Sequence, residues 1–174
     1  MSVSIDVKKI FLSFVQQYFI DHPRLTWNVD PRITKIFIAD KYAVDPAVVE
    51  KMPAIILNLG TRGFARTSIG QVLERELSRT HTLRSDLIQG MVTFHCVSKN
   101  GIEAETIADG LLLRIMAFKD EFRKHRIHQI LGTNIGEEQV IRGDSSPRMS
   151  MVPVYVQYTV QAGTSFEEDI YDLV

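Results

Sequence analysis

Between residues 152 and 161 apolar and polar positions alternate without a break. Val152, Val154, Val156, Tyr158 and Val160 fall on one side of an extended chain, and Tyr155, Gln157, Thr159 and Gln161 on the other. That period of two predicts a strand with one buried face. The same rhythm runs from Leu87 to Val97, with Ile88, Val92, Phe94 and Cys96 on one side and Gln89, Thr93 and His95 on the other. Asn100 and Glu103 have the spacing of a capping box and predict a helix start. Ala104, Ile107, Ala108, Leu111, Ile115, Phe118 and Phe122 then make one stripe at helical spacing. Five of these are large, and burying them is worth about 1.5–3 kcal/mol each, roughly 8–15 kcal/mol gross. Chain ordering offsets most of that gain, so the stripe needs a sheet beneath it. The outer side of this helix, with Glu103, Asp109, Arg114, Lys119 and Arg123, reads as a solvated face of mixed charge.

An earlier helix is predicted from Val7, Ile10, Phe11, Phe14, Tyr18 and Phe19. Asp6 or Ser4 caps it, and His22-Pro23 ends it because the residue before proline is pushed out of the α region. The segment ITKIFIAD (33–40) suits a strand or a helical turn. PAIILNLG (53–60) predicts a strand that Pro53 starts and Gly60 closes, with Ile55, Leu57 and Leu59 on one face. IHQILGTNI (127–135) predicts another strand, and GDSSPR (143–148) a turn.

Residues 61–85 break the pattern. Gly63, Gly70 and many charges spoil any long periodicity, although THTLRS (80–85) suits one branch of a hairpin. A connection this long inside a compact domain is commonly functional or a paired arm. The last ten residues, SFEEDIYDLV, are acidic with apolar residues interspersed, and read as a tail ordered only by a partner. The expected architecture is α+β: a mostly antiparallel sheet of about four to six strands, two main helices on one face, and a long arm or hairpin. Residues 1–162 form one domain in this reading, with 61–85 as the arm and 163–174 as the tail.

Composition narrows the class. A chain of 174 residues with 45% hydrophobic and 24% charged residues reads as one ordinary globular domain. The 20 Lys and Arg against 21 Asp and Glu leave a net charge of -1, with no drive toward nucleic acid or an anionic membrane. The single cysteine, Cys96, rules out an intrachain disulfide and suits a reducing cytoplasm. The N-terminus lacks a signal-peptide pattern, and no apolar run approaches the roughly 18 residues of a membrane span.

Candidate chemistry is sparse. His125 and His128 give H-x-x-H without the glutamate of a zincin motif. His95 and Cys96 are adjacent on a strand and point to opposite faces, so they do not chelate together. Cys96 sits on an apolar face, as a structural cysteine does. No nucleophile elbow occurs, and Glu137-Glu138 carry no sign of a cleft. No cofactor, metal site or catalytic residue is expected, and no enzymatic activity. Gly60-Thr61-Arg62-Gly63 matches the GXXG of a KH loop but follows a strand instead of joining two helices. The arm carries Arg62, Arg66, Arg75, Arg79 and Arg84, with Glu74 and Glu76 among them. It reads either as an exposed mixed-charge loop or as a docking arm whose arginines pair with a partner's carboxylates. With Phe166 and Tyr171 of the tail, these arginines are the candidate partner interface.

The order of these pieces resembles the tail-terminator and neck proteins of tailed bacteriophages. PAIILNLG precedes an irregular arm bearing Gly and Arg. MVTFHCVSKNGIEAETIADGLLLRI (91–115) follows, with an A-E-x-(I/L)-A element at Ala104-Glu105-Thr106-Ile107-Ala108. VPVYVQYTV (152–160) closes the run. The resemblance covers residues 30–162 and leaves out the first helix and the acidic tail. It implies a virion subunit, assembled in the host cytoplasm, that forms a homo-oligomeric ring, commonly a hexamer. Such a ring caps the tail tube and provides the head-tail joining surface. The partners implied are other copies of the chain, the tail tube and the neck or connector proteins, with DNA passing through without specific binding and no membrane. A globule of this length is about 40 Å across, and six in a ring leave a hole of about 40 Å, wide enough for duplex DNA. Alternatives are another connector ring, such as a head-closure or tail-completion protein, a nucleic-acid-binding module, or a small enzyme whose site no motif reveals.

Overall fold

A computed structural model describes residues 3–41, 51–64, 72–75, 81–125, 127–141 and 148–167. Helix α1 (Val3–Ile20) opens the chain. Val7, Phe11, Val15 and Phe19, each four residues apart, are buried, because residues i and i+4 share a helix face. Ile10, Phe14 and Tyr18 flank that row and are partly buried. The helix ends two residues before His22. The His22 ring then accepts hydrogen bonds from the Leu25 and Arg24 amides at Nδ1, at 3.0 and 3.3 Å. The turn that follows is tied back by Trp27 N–H to the Phe19 carbonyl at 2.8 Å.

The segment at 33–40 resolves as a short strand, β1 (Phe37–Asp40). It lies parallel to β2 (Ala54–Phe64), with Phe37 level with Ala54. Gly60 does not close β2. A register shift between Leu59 and Arg62 marks an irregularity that the strand absorbs as it runs on to Phe64. The other described strands are β3 (Val72–Arg75), β4 (His81–Ser98), β5 (Ile127–Ile135), β6 (Gln139–Ile141) and β7 (Met149–Glu167). Along the sheet the order is β1-β2-β4-β7-β5, with β3 attached to β4 and β6 to β7. Pairing is antiparallel throughout except for β1 with β2. The expected α+β class and mostly antiparallel sheet are what the chain adopts. The expected turn at 143–148 lies outside the described residues except for Arg148.

Between β4 and β5 come α2 (Gly101–Ala117) and the one-and-a-half-turn α3 (Lys119–Lys124). Asn100 caps α2, its side-chain oxygen accepting from the Ile102 amide at 3.1 Å. The expected reciprocal bond from Glu103 to the Asn100 amide takes a longer route. The Asn100 amide donates to the Ser98 hydroxyl oxygen at 3.2 Å, and that hydroxyl in turn donates to the Glu103 carboxylate.

The described helices lie on one face of the sheet. Ala104, Ile107, Ala108, Leu111 and Ile115 of α2, with Phe122 of α3, meet Phe94, Cys96, Val154 and Val156 from below. Phe11 is the hub, its ring centroid 4.9 Å from that of Phe122, 5.8 Å from Tyr158 and 6.0 Å from Phe94. Phe118 departs from the expected stripe. It is the C-cap of α2, its ring is partly exposed, and the Arg114 guanidinium stacks 3.8 Å from the ring centroid. The other sheet face carries no described helix and a small cluster of its own: Ala54, Val97 and Met149 flanked by Phe37, Ile56 and Met151.

Candidate interaction surface

β4 and β7 pair without a register shift from Ser98 opposite Ser150 to His81 opposite Glu167. Their neighbours stop earlier. β2 leaves β4 at Ile88, and β5 leaves β7 at Val160. Beyond these points the sheet narrows to β3, β4 and β7 and projects by about 20–25 Å, at roughly 3.3 Å per residue. The irregular stretch at 61–85 is thus largely sheet in its described parts: the end of β2, then β3 paired with the start of β4. Residues 81–85 of THTLRS form a hairpin branch, with Thr82 opposite Arg75 and Arg84 opposite Val72; Thr80 lies outside the described residues. The first residues of the expected tail, 163–167, are the last of β7.

Register decides which of the candidate residues meet. Arg75, Thr82 and Phe166 form one row across β3, β4 and β7. Arg84 lies in the next row of the same face, between Val72 and Thr164. Arg62 is level with Gly90, which is level with Tyr158. Of these, Arg62, level with Gly90, lies on the face that α1 and α2 cover. Arg66, Arg79 and Tyr171 lie outside the described residues.

At the root of the projection, Tyr158 is fully buried with its ring against Gly90. Its hydroxyl makes no hydrogen bond among the described residues. A Cβ on Gly90 would stand 2.5 Å from that hydroxyl oxygen. Burial pushes the Tyr158 phenol above its ordinary value, and the positive charge of Arg62 draws it partly back. On the reverse face, Thr61, Gly63, Gln89, Met91 and Gln157 line a shallow depression of about 390 Å³. A second groove, about 440 Å³, runs between α1 and α3, floored by Ile10, Phe14 and Phe122 and edged by Lys9, Glu121 and His125.

The residues weighed for chemistry are dispersed. His125 ends α3 and His128 stands on β5. No group of three or more His, Cys, Asp or Glu side chains converges among the described residues. Cys96 is buried under the helices, which pushes its thiol up to about 12. His95 faces the other side, between Ile56 and Pro153. Burial lowers its pKa, and its Nδ1 has no hydrogen-bond partner among the described residues. Gly60 to Gly63 lie within β2 rather than in a loop between helices.

One surface escaped the reading of the sequence. The outer side of α2 is not simply charged: Ile102 is 74% exposed, Leu113 66% and Met116 43%. At 3.6 residues per turn these three fall within about 60° of one another, opposite the buried stripe. The signal was present in the spacing of 102, 113 and 116, but the charges between them masked it.

No family model matches the chain, and no curated protein matches it. Among the solved structures similar to it is a chain of the virion of a native gene transfer agent particle. The two are 9% identical, the match covers 87% of this chain and 94% of that one, and the TM-score is 0.35. No helix of the described residues is long and apolar enough to cross a membrane.

Proposed function

We propose that this chain is a ring-forming structural subunit of a phage-type virion, a tail terminator that caps the tail tube and presents the surface to which the neck and head attach. The observation that carries this reading is the projecting part of β3, β4 and β7. A single layer of strands needs a second layer to bury a face, and no described helix packs on this part of the sheet. Yet this sheet is rooted by an unbroken ladder in a rigid core, so it is built to be covered by another protein.

Further features fit the same role. The order of strand, arm, strand, helix and strand matches the resemblance to tail-terminator and neck proteins. The near balance of 20 basic and 21 acidic residues suits a ring through which DNA passes without being held, since a channel dense in arginine binds phosphate tightly. The partners in this proposal are further copies of the chain, commonly six, the end of the tail tube and the neck. The chain acts by contact and transforms no substrate.

The test is electron microscopy of the purified protein, alone and mixed with polymerised tail tubes. Rings of uniform size, seated at one end of the tubes and stopping further growth, are the expected result. Binding to the head-side connector with no effect on tubes would assign a head-closure role instead. A monomer that joins neither would refute the proposal.

A further inference from the structure

We propose that the loop between α1 and β1 of one copy seats in the groove between α1 and α3 of the next, and that this contact closes the ring. The inference rests on the ring reading and deepens it.

The loop is held in a fixed shape. Its base is pinned where the Lys35 amide donates to the Thr26 carbonyl at 2.8 Å. The Thr34 hydroxyl accepts from the Asn28 amide at 3.2 Å and donates to the Ile36 carbonyl at 2.9 Å. Asn28 Oδ1 accepts from the Asp30 amide at 2.8 Å. Asp30 then caps a single turn. Its side chain accepts from the Arg32 amide at 2.9 Å, and its carbonyl accepts from the Ile33 and Thr34 amides, both at 3.2 Å. Pro31 follows the cap, where its fixed φ suits the start of a turn.

What this frame holds out is apolar. Val29 is 82% exposed and Ile33 59%, and Pro31 between them is exposed as well. The Asp30 carboxylate is engaged by the loop's own backbone. Ordering the loop costs conformational entropy, and these tip side chains recover none of it by burial in their own chain. Compact loops whose ends meet are frequently functional.

The groove is the counterpart. It encloses about 440 Å³ over a floor of Ile10, Phe14 and Phe122. That floor is continuous: Ile10 and Phe14 are one turn apart on α1, and the Phe14 and Phe122 ring centroids are 4.5 Å apart. Lys9 edges the α1 side and Glu121 the α3 side. The loop tip carries the same two signs, so with Val29 and Ile33 on the floor, Asp30 meets Lys9 and Arg32 meets Glu121. Neither Lys9 nor Arg32 is in an ion pair among the described residues. The bond from Lys124 to Glu121 is an exposed pair, a kind that contributes little and exchanges readily. Knob and groove thus match in apolar character and in charge.

The loop does not fill the groove of its own chain. It leaves the C-terminal end of α1, tied there by the Trp27 amide to the Phe19 carbonyl, and its tip stands in solvent. The groove follows α1 from Lys9 to Gln17. Two different patches on one molecule make a heterologous contact, which passes from copy to copy and ends in a ring when the rotation closes.

The test uses the full chain. Chains carrying Val29→Cys are mixed before assembly with chains carrying Ser13→Cys, which stands on the groove edge, and treated with a short bismaleimide. The native Cys96 is buried and does not compete. Cross-linked dimers are expected from the mixture and none from either variant alone. Val29→Asp, an exposed change that leaves the core intact, is expected to raise the concentration needed for half-assembly by at least about tenfold. Arg32→Glu and Glu121→Arg are each expected to weaken assembly, and the two together to restore it. If the unaltered protein forms rings, then normal assembly of Val29→Asp, or no dimer from the mixture, would overturn this contact and leave the ring reading standing. Absence of any ring from the unaltered protein, alone or on tail tubes, would remove both.

Discussion

The ring of Tyr158 lies where the side chain of any residue other than glycine at position 90 would stand, with only 2.5 Å between its hydroxyl oxygen and a Cβ there. The neighbour cannot yield, since Tyr158 is itself enclosed by Phe11 and the helices. Gly90→Ala therefore overpacks the core at the root of the projection and is expected to cost about 1–3 kcal/mol. Tyr158→Phe acts in the opposite direction. It removes a buried hydroxyl without a hydrogen bond, and the expected gain is about 1 kcal/mol. Denaturant unfolding of the two variants checks both signs.

The thiol of Cys96 titrates near 12 in the folded chain, against an ordinary value of 9.0. The folded state thus holds a proton that the unfolded state releases, so stability falls as pH rises through this interval. The slope approaches about 1.4 kcal/mol per pH unit. Unfolding free energies measured between pH 8 and 11 should show this loss in the native sequence, and a flatter profile in Cys96→Ala. Equal slopes would mean that the thiol is not shielded as described.

His95 gives the mirror case on the acid side. Burial lowers its pKa below the ordinary 6.5. The folded state then binds fewer protons than the unfolded one as pH drops below 6.5, and stability is lost in that direction. Thermal midpoints from pH 7 to pH 5 are expected to fall more steeply for the native chain than for His95→Gln.

The start of α2 depends on a relay: Asn100 amide to Ser98 hydroxyl, and Ser98 hydroxyl to Glu103 carboxylate. Ser98→Ala and Glu103→Ala should each cost about 1 kcal/mol, and the double variant less than their sum. Strict additivity in that cycle would show that the two groups act separately. Asn100→Ala, which removes the cap itself, is expected to cost about 1 kcal/mol as well.

Much of this architecture was legible in the residues. β7 and the core half of β4 announce themselves by alternation, and α2 by its stripe, because burial on one face imposes a period on the chain. The bulge at Leu59 to Arg62 was not legible. Gly60 looks like an end when it is a place where the strand bends and continues. The hairpin branch at THTLRS was legible, but its continuity with the core half of β4 was not, and β3 escaped altogether. β3 is only four residues long, two apolar followed by two charged, so it shows no alternation to read. Phe118 was placed on the stripe by spacing alone, but the helix breaks there. The candidate interface was legible only as composition; which of its residues lie level across the strands follows from pairing partners that no local pattern reveals.

The uninterrupted match of β4 with β7 gives the molecule a stiff lever. A tether would let the tip wander; this ribbon fixes where the tip stands relative to the core, so its reach becomes a property inherited from strand length. Removing a single residue from β4 between Asp86 and Ile88 would put residues 81–86 out of phase with the core half of the strand, so that either their inner and outer sides exchange or β7 must bulge to keep the pairing.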